Sequence, residues 1–150
     1  MRWLVLDEVV EIQKGKSART RSRVPATNLA GKPETEASPE VLIIEMMAQT
    51  GGLLVGAEND FQGNAVFAKI EEAKFYPGFK TGEPLEIEAL AENLRSEGSW
   101  ITASVRSSGR PVAEAKLMLA NAGELVPGIQ ESVTFHPAFM EHFKVRDKIK

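Results

Sequence analysis

Two different periods of apolar residues follow one another along the chain, and they predict strands on either side of a single helix. Residues 2–15 mix large apolar and β-branched residues with acids and end in the turn signal Lys14-Gly15. Residues 16–25 alternate between small and basic positions, which predicts a second strand that ends near Pro25. Together these two segments indicate an N-terminal pair of strands.

The helical period is confined to residues 38–56, SPEVLIIEMMAQTGGLLVG, which follow a loop rich in proline and small residues. Ser38 has the chemistry of an N-cap, and Pro39 suits the first helical position. We expect this helix to run to about Val55. Almost every residue in it is apolar, small or a good helix former, and Glu45 is the exception in its middle.

The second half of the chain returns to a strand period. Four strand-like segments are separated by short turn signals, and they are residues 65–78, 84–95, 100–108 and 110–120. Residues 84–95 alone also suit a helix, and their context assigns them to a strand. Hairpin signals at this spacing predict an antiparallel meander.

This order of elements predicts an α+β protein with the hotdog fold, a curved antiparallel sheet of about six strands wrapped around one long central helix. One sheet does not cover every face of such an apolar helix, so a dimer that closes the other side is expected. We expect residues 1–123 to form this domain. Residues 124–150 are expected to form a C-terminal extension with a short helix from Pro137 onward.

Composition narrows the class of protein further. The 150 residues include 43% hydrophobic and 26% charged residues, which are ordinary globular values. The absence of cysteine excludes disulfides, thiolate metal sites and cysteine nucleophiles. The net charge of −3, without a basic helix, argues against nucleic acid as a partner. No signal peptide or membrane span is indicated, so we expect a cytoplasmic protein, and we expect neither a cofactor nor a metal.

Glu45 is the candidate for acid–base or nucleophilic chemistry. Desolvation by five apolar neighbours would disfavour its charged form, which suits a group that exchanges protons near neutral pH; these neighbours are Val41, Leu42, Ile44, Ala48 and Leu53. Gln49, one turn further along, is placed to orient Glu45 or a ligand. The alternative is a structural ion pair with Lys69 or Lys74.

Two further features have a functional and a structural interpretation. Arg19, Arg21 and Arg23 would form a basic stripe that attracts an acidic carrier protein, or a solvated strand face whose charges protect a sheet edge. The pair Gly51-Gly52 is best explained by close packing of the helix. Phe67, like the other aromatic residues of its strand, is expected to fill the core and an interface.

Three segments together resemble a known family: LVLDEVVEIQKGK, SPEVLIIEMMAQTGG and VFAKIEEAKFYPGFKTGEPLEIEA. They are similar to the 3-hydroxyacyl-acyl carrier protein (ACP) dehydratases of the FabA/FabZ type. Those enzymes carry a helix reading Pro-Gly-Val-Leu-Ile-x-Glu-Ala-x-Ala-Gln and a strand reading Phe-x-x-Ile-x-x-x-(Lys/Arg)-Phe before a Pro-Gly-Asp turn. The resemblance runs from residue 3 to about residue 120.

The resemblance implies an acyl tunnel, a thioester substrate carried by ACP or coenzyme A, and a homodimer or a trimer of dimers. It places Glu45 on the catalytic acid of the family and Phe67 on a tunnel-lining aromatic. The residues implied in substrate binding are Pro39, Glu40, Val41, Gln49, Gly31 and Phe67. Arg19, Arg21 and Arg23 are the candidates for contact with the carrier.

The chain departs from the family pattern in three places. Gly31 stands where the family has its catalytic histidine, and Pro39-Glu40 replaces the Pro-Gly at the helix start. The usual N-terminal helix is not expected, because Met1 directly precedes the first strand. The two histidines, His136 and His142, lie beyond the region of resemblance, and a spacing of six residues does not suit a metal pair on one helix face.

Three functions therefore stay open. The first is a dehydratase acting on 3-hydroxyacyl thioesters in fatty-acid or polyketide-type metabolism, with Glu45 as acid and base. The second is an acyl thioesterase that uses Glu45 without a histidine. The third is a non-catalytic subunit that binds acyl thioesters or ACP.

Overall fold

A six-stranded antiparallel sheet packs one face against a single 20-residue helix in this computed structural model. The structure describes residues 5–25, 38–63, 65–95, 97–121 and 135–150. The elements are β1 (Glu8–Gln13), β2 (Ser17–Arg23), α1 (Pro39–Glu58), β3 (Ala65–Phe75), β4 (Pro84–Asn93), β5 (Ser99–Ser107), β6 (Arg110–Asn121), α2 (Pro137–His142) and a 3-10 helix (Val145–Lys148). Element order and sheet confirm the predicted hotdog fold.

The strands lie in the order β1-β2-β4-β5-β6-β3. The predicted meander is confirmed for β4, β5 and β6, but it is wrong for β3, which pairs with β6 instead of β4. The free side of β4 is taken by β2, where buried Ala18 and Thr20 lie opposite buried Ala89 and Ile87. Turn signals report where a chain reverses, but they do not report which sheet edge it joins.

The predicted helix start is confirmed, because the Ser38 Oγ accepts a hydrogen bond from the Val41 amide at 3.3 Å and Pro39 is the first helical residue. The helix ends at Glu58, three residues beyond the expected end. It contacts all six strands. By length and composition α1 is apolar enough to cross a membrane, and 61% of its apolar window is buried inside the protein, as in the core helix of a globular domain.

α1 and the sheet pack closely at Gly51. A Cβ built on Gly51 would lie 3.0 Å from Leu119 Cδ1 and 3.3 Å from Ile101 Cγ2. This confirms the interpretation of this glycine as a close packing position. One polar pair is buried beside the helix, since the hydroxyls of Thr20 and Thr50 lie 2.7 Å apart and Thr50 also donates to the Met46 carbonyl.

The described C-terminal residues pack against the helix end and the edge of β1. Phe143 and Val145 are buried, and Phe135 forms an edge-to-face pair with Phe61 at 5.3 Å. The Lys150 amide donates to the Ile12 carbonyl at 2.8 Å. This contact covers part of the β1 edge, which would otherwise present unpaired backbone groups. Residues 122–134 lie outside the described part, so the division at residue 123 stays a prediction.

The two adjacent glycines of α1 give a matched test of this packing. Alanine is favoured over glycine in a helix by about 1 kcal/mol, and overpacking a core costs about 1–3 kcal/mol. Apart from the chain neighbours of Gly52 and the backbone of α1, no described atom lies within 4 Å of a Cβ built on Gly52. We therefore expect Gly52→Ala to raise the free energy of unfolding, and Gly51→Ala to be less stable than Gly52→Ala by about 1–2 kcal/mol. Urea unfolding of both variants measures this, and equal stabilities would contradict the packing described.

A second prediction concerns acid stability. Glu11 accepts a hydrogen bond from Arg19 at 2.6 Å, which lowers the pKa of Glu11 below its ordinary value of 4.5, and Lys150 lies 3.5 Å away. A carboxyl whose folded pKa is lowered stabilises the fold above its unfolded pKa, and this stabilisation is lost as the pH falls through the folded pKa. In thermal melts, the advantage of the wild type over Glu11→Gln should be present at pH 7 and shrink below about pH 4.5. Parallel curves over the whole range would contradict it.

Candidate active site

The face of α1 that points away from the sheet carries the candidate acid. Val41, Glu45 and Gln49 follow one another at the spacing of one helical turn, so they share that face. Gln49 Nε2 donates a hydrogen bond to Glu45 Oε1 at 3.1 Å. The predicted proximity of Gln49 and Glu45 is therefore present, and the amide fixes one oxygen of the carboxylate.

The expected burial of Glu45 among apolar neighbours is wrong for the single chain. The Glu45 side chain is exposed, and Val41 is 56% exposed. Leu53, by contrast, is buried. The reason is geometric, because the sheet covers one side of the helix and these apolar residues are distributed around its whole circumference.

The alternative of a structural ion pair is also not observed. Among the residues that the structure describes, Glu45 forms no ion pair with a lysine or arginine. Lys74 instead lies over the ring of Tyr76, with its Nζ 4.8 Å from the ring centre. Both Lys69 and Lys74 are exposed on β3. A charged side chain held by Gln49 and facing open space is available to a ligand.

The first turn of α1 leaves one amide for a substrate oxygen. Pro39 has no N–H group, and the Val41 N–H donates to Ser38. Of the first three helical residues, Glu40 is therefore the one whose N–H group has no acceptor among the described residues. The positive end of the helix dipole adds to the attraction of this amide for a partial negative charge.

An uncovered apolar surface lies on β3. Phe67, Ile70 and Phe75 lie opposite Leu119, Leu117 and Ala113, which are buried residues of β6, so all six belong to the inner face of the sheet. The three β3 residues are 42%, 39% and 37% exposed. The expectation that Phe67 fills the core is wrong for the single chain, because β3 is the outermost strand.

Sequence analysis missed Ile70 as part of this surface. Strict alternation places Phe67 and Ile70 on opposite faces because they are three residues apart. An irregularity in the register between Phe67 and Lys69 brings both onto the inner face. The family-like spacing Phe-x-x-Ile was the sequence signal for this shared face. A bulge adds one residue to a strand, so two apolar residues three positions apart can lie on the same face.

The arginine stripe lies on the outer face of β2 and is largely paired. Arg19 contacts Glu11 at 2.6 Å, and Arg21 contacts Glu8 at 3.1 Å and Glu86 at 3.8 Å. Arg23 donates to the Gly82 carbonyl at 3.3 Å. The interpretation as edge protection is wrong, because β1 lies outside β2 in the sheet.

Gly31 and the two histidines were the other residues considered for a functional role. Gly31 lies outside the described residues. His136 caps α2, where its Nδ1 accepts a hydrogen bond from the Ala138 amide at 3.1 Å, and both His136 and His142 are exposed. In the described part of the chain, no three His, Asp or Glu side chains come together to hold a metal ion.

Comparison with known proteins agrees with this geometry. No family model matches the chain. The FabZ 3-hydroxyacyl-ACP dehydratase of Clostridium botulinum (strain Loch Maree / Type A3) is 31% identical over 120 residues, which is 77% of this chain and 83% of that protein.

Two solved structures share the fold. The dehydratase heterocomplex ApeI:P of Xenorhabdus doucetiae has a TM-score of 0.64 at 16% identity, covering 79% of this chain and 83% of that one. A hypothetical thioesterase of Streptococcus pneumoniae with coenzyme A has a TM-score of 0.56 at 14% identity, covering 75% and 82%. The fold, the carboxylate on α1 and the identity to the curated relative agree, and the chain belongs to the FabZ family of 3-hydroxyacyl-ACP dehydratases.

Proposed function

We propose that this protein is a cytoplasmic dehydratase of 3-hydroxyacyl thioesters in fatty-acid or polyketide-type metabolism, with Glu45 as its acid and base. The observation that carries the proposal is the Glu45 carboxylate, oriented by Gln49 on the open face of an otherwise apolar helix. The similarity to the Clostridium botulinum FabZ, a 3-hydroxyacyl-ACP dehydratase, supports 3-hydroxyacyl thioesters as the substrate class.

The reaction removes one proton from C2 and the hydroxyl group from C3, and it releases water and a 2-enoyl thioester. In the resemblance to the family, Gly31 stands at the position of the histidine that serves as the base for the C2 proton, and we propose that Glu45 takes over this role. Glu45 then takes the C2 proton through one oxygen and returns a proton to the departing hydroxyl on the same side of the substrate. Gln49 leaves the second oxygen of Glu45 available for this exchange.

The start of α1 is suited to hold the thioester carbonyl. Removing the C2 proton places negative charge on the carbonyl oxygen, and an amide at a helix N-terminus stabilises such charge. Glu40 supplies this N–H group, with Pro39 and Val41 flanking the acyl thioester. About 7.5 Å along the helix axis separates Glu40 from Glu45, from a rise of 1.5 Å per residue.

The site closes in a homodimer. The exposed inner face of β3 and the exposed Val41 on α1 leave apolar area in water, and we propose that a second copy of the chain covers both. Phe67 then lies at the boundary of the acyl tunnel. Burial in the dimer also removes water from Glu45, which strengthens its electrostatic interactions with the substrate.

Delivery of the substrate by an acidic carrier protein would use the arginine stripe. Arg19 and Arg21 form ion pairs with glutamates. Because the opposite charges largely cancel, these two arginines add little to the electrostatic field that a distant carrier protein would experience. Arg23 has a carbonyl partner instead of an acid. We therefore assign the largest electrostatic contribution to Arg23.

A thioesterase is the second candidate, favoured by the similarity to a hypothetical thioesterase that binds coenzyme A. Here Glu45 takes a proton from water, the oxygen attacks the thioester carbonyl, and the carbon–sulfur bond breaks with release of a thiol. This route requires no histidine. It differs from dehydration in its products.

The activity test offers the purified protein a 3-hydroxyacyl thioester and follows enoyl absorbance and free thiol. We expect enoyl formation, and a loss of at least about 100-fold in kcat for Glu45→Gln, the usual range for a general acid–base residue. Glu58→Gln, an exposed carboxylate at the far end of the same helix, is the matched control. Thiol release without enoyl product would assign the protein to the thioesterases.

The stability of the same variants shows whether a loss of activity comes from the missing carboxylate or from unfolding. Because Glu45 is exposed in the single chain, Glu45→Gln should change the free energy of unfolding of the monomer by no more than about 0.5 kcal/mol. Binding of the thioester without either product would contradict the dehydratase and support a non-catalytic binding subunit.

The proposed homodimer is tested by introducing a charged side chain on the inner face of β3. Ile70→Lys should convert the dimer to a monomer in sedimentation equilibrium, because a lysine would be buried in the proposed interface without a partner. Leu90→Lys is the matched control, since Leu90 is 45% exposed on the outer face. A wild-type monomer, or an Ile70→Lys protein that stays dimeric, would contradict the interface.

A further inference from the structure

Exposure decreases steadily along the face of α1 that carries the candidate acid. Glu45, Gln49, Gly52 and Gly56 lie on one helix face, at steps of three or four residues. Glu45 is exposed, Gln49 is half-buried, and both glycines are buried. An acyl chain that starts at Glu45 and follows this face of the helix therefore passes from an exposed end to a buried end.

The closed end is formed by an aromatic residue of the C-terminal extension. A Cβ built on Gly56 would lie 2.5 Å from Phe135 Cζ and 2.9 Å from Phe61 Cδ1, so the Phe135 ring rests directly on the glycine. The ring is only 7% exposed and is held edge-to-face against Phe61. It thus closes this face of the helix about 16 Å from Glu45 along the axis, at 1.5 Å per residue.

Between these two ends the face is not filled by the described residues. Gly52 is buried, yet no described atom lies within 4 Å of a Cβ placed on it, apart from its two chain neighbours and the backbone of α1 itself. At the adjacent Gly51 the same construction meets Leu119 at 3.0 Å. The two neighbouring glycines therefore have different surroundings. Gly51 contacts the sheet, and the described residues outside α1 leave the space beside Gly52 unfilled.

We propose that Phe135 sets the longest acyl chain that this protein accepts, and that the chain passes Gly52 to reach it. The inference rests on the proposed function, which puts the reacting carbons at Glu45. An apolar chain along this face displaces water from glycine backbone and aromatic surface, and each methylene that fits is favourable until the ring is met. Phe135 lies beyond the region of family resemblance, so this limit belongs to the C-terminal extension.

The experiment measures kcat/KM for a series of 3-hydroxyacyl pantetheine thioesters of increasing length. We expect the wild type to reject chains above one length. Phe135→Ala should raise kcat/KM for the first rejected length roughly tenfold or more, the usual effect of one methylene in a specificity pocket, so that the length limit moves toward longer chains. Gly52→Ala should shift the limit the other way, toward shorter chains.

Phe143→Ala is the matched control, because Phe143 is an equally buried aromatic of the same extension that does not contact Gly56 in the described structure. It should keep the wild-type length limit. A shift in Phe143→Ala equal to that in Phe135→Ala would overturn the proposal, since it would show that loosening the extension is sufficient. Gly52→Ala keeps the test decisive if Phe135→Ala does not fold.

Binding of saturated acyl pantetheine thioesters, measured by calorimetry, separates this proposal from the proposed function. An affinity that rises with length to a limit, and a limit that moves in Phe135→Ala and Gly52→Ala, supports the acyl stop even if no product forms. Failure of turnover alone overturns the dehydratase. Length profiles that are identical in the wild type and both variants overturn the role of Phe135.

Discussion

One-sided burial of α1 is the constraint on which the remaining features depend. The helix is apolar around most of its circumference, while the sheet reaches only the side that carries residues such as Met47, Gly51 and Leu54. Gly51 brings the two layers into contact by removing the side chain at a close packing position. The opposite side must be covered by something else, and that side holds Glu45.

The two exposed apolar surfaces follow from the same constraint. β3 is the outermost strand on its side of the sheet, and its inward residues Phe67 and Ile70 stay partly exposed. Toward its C-terminal end the open face of α1 is covered from within the chain, by Phe135 on Gly56. A second protomer on one side and the C-terminal extension on the other would together turn an open helix face into a tunnel.

The outer face of the sheet shows a different balance, in which charge replaces apolar contact. Lys116 bridges Glu71 and Glu92 at 3.4 and 3.1 Å, and these hydrogen bonds raise the pKa of Lys116. Its ammonium group also lies 5.3 Å from the centre of the Trp100 ring. Because acids and bases alternate across neighbouring strands, the described residues of this face produce only a weak net electrostatic field.

The sequence by itself determined the local features of this protein: the helix with its Ser38 cap, the strand positions, the close packing at Gly51, and Glu45 and Gln49 on one helix face. Each follows from spacing and propensity within about twenty residues. Tertiary structure alone decided that β3 joins β6 and that Glu45 is exposed. These features depend on which sheet edge a strand joins and on how far the sheet extends around the helix. The local periodicity of the sequence does not specify either of them.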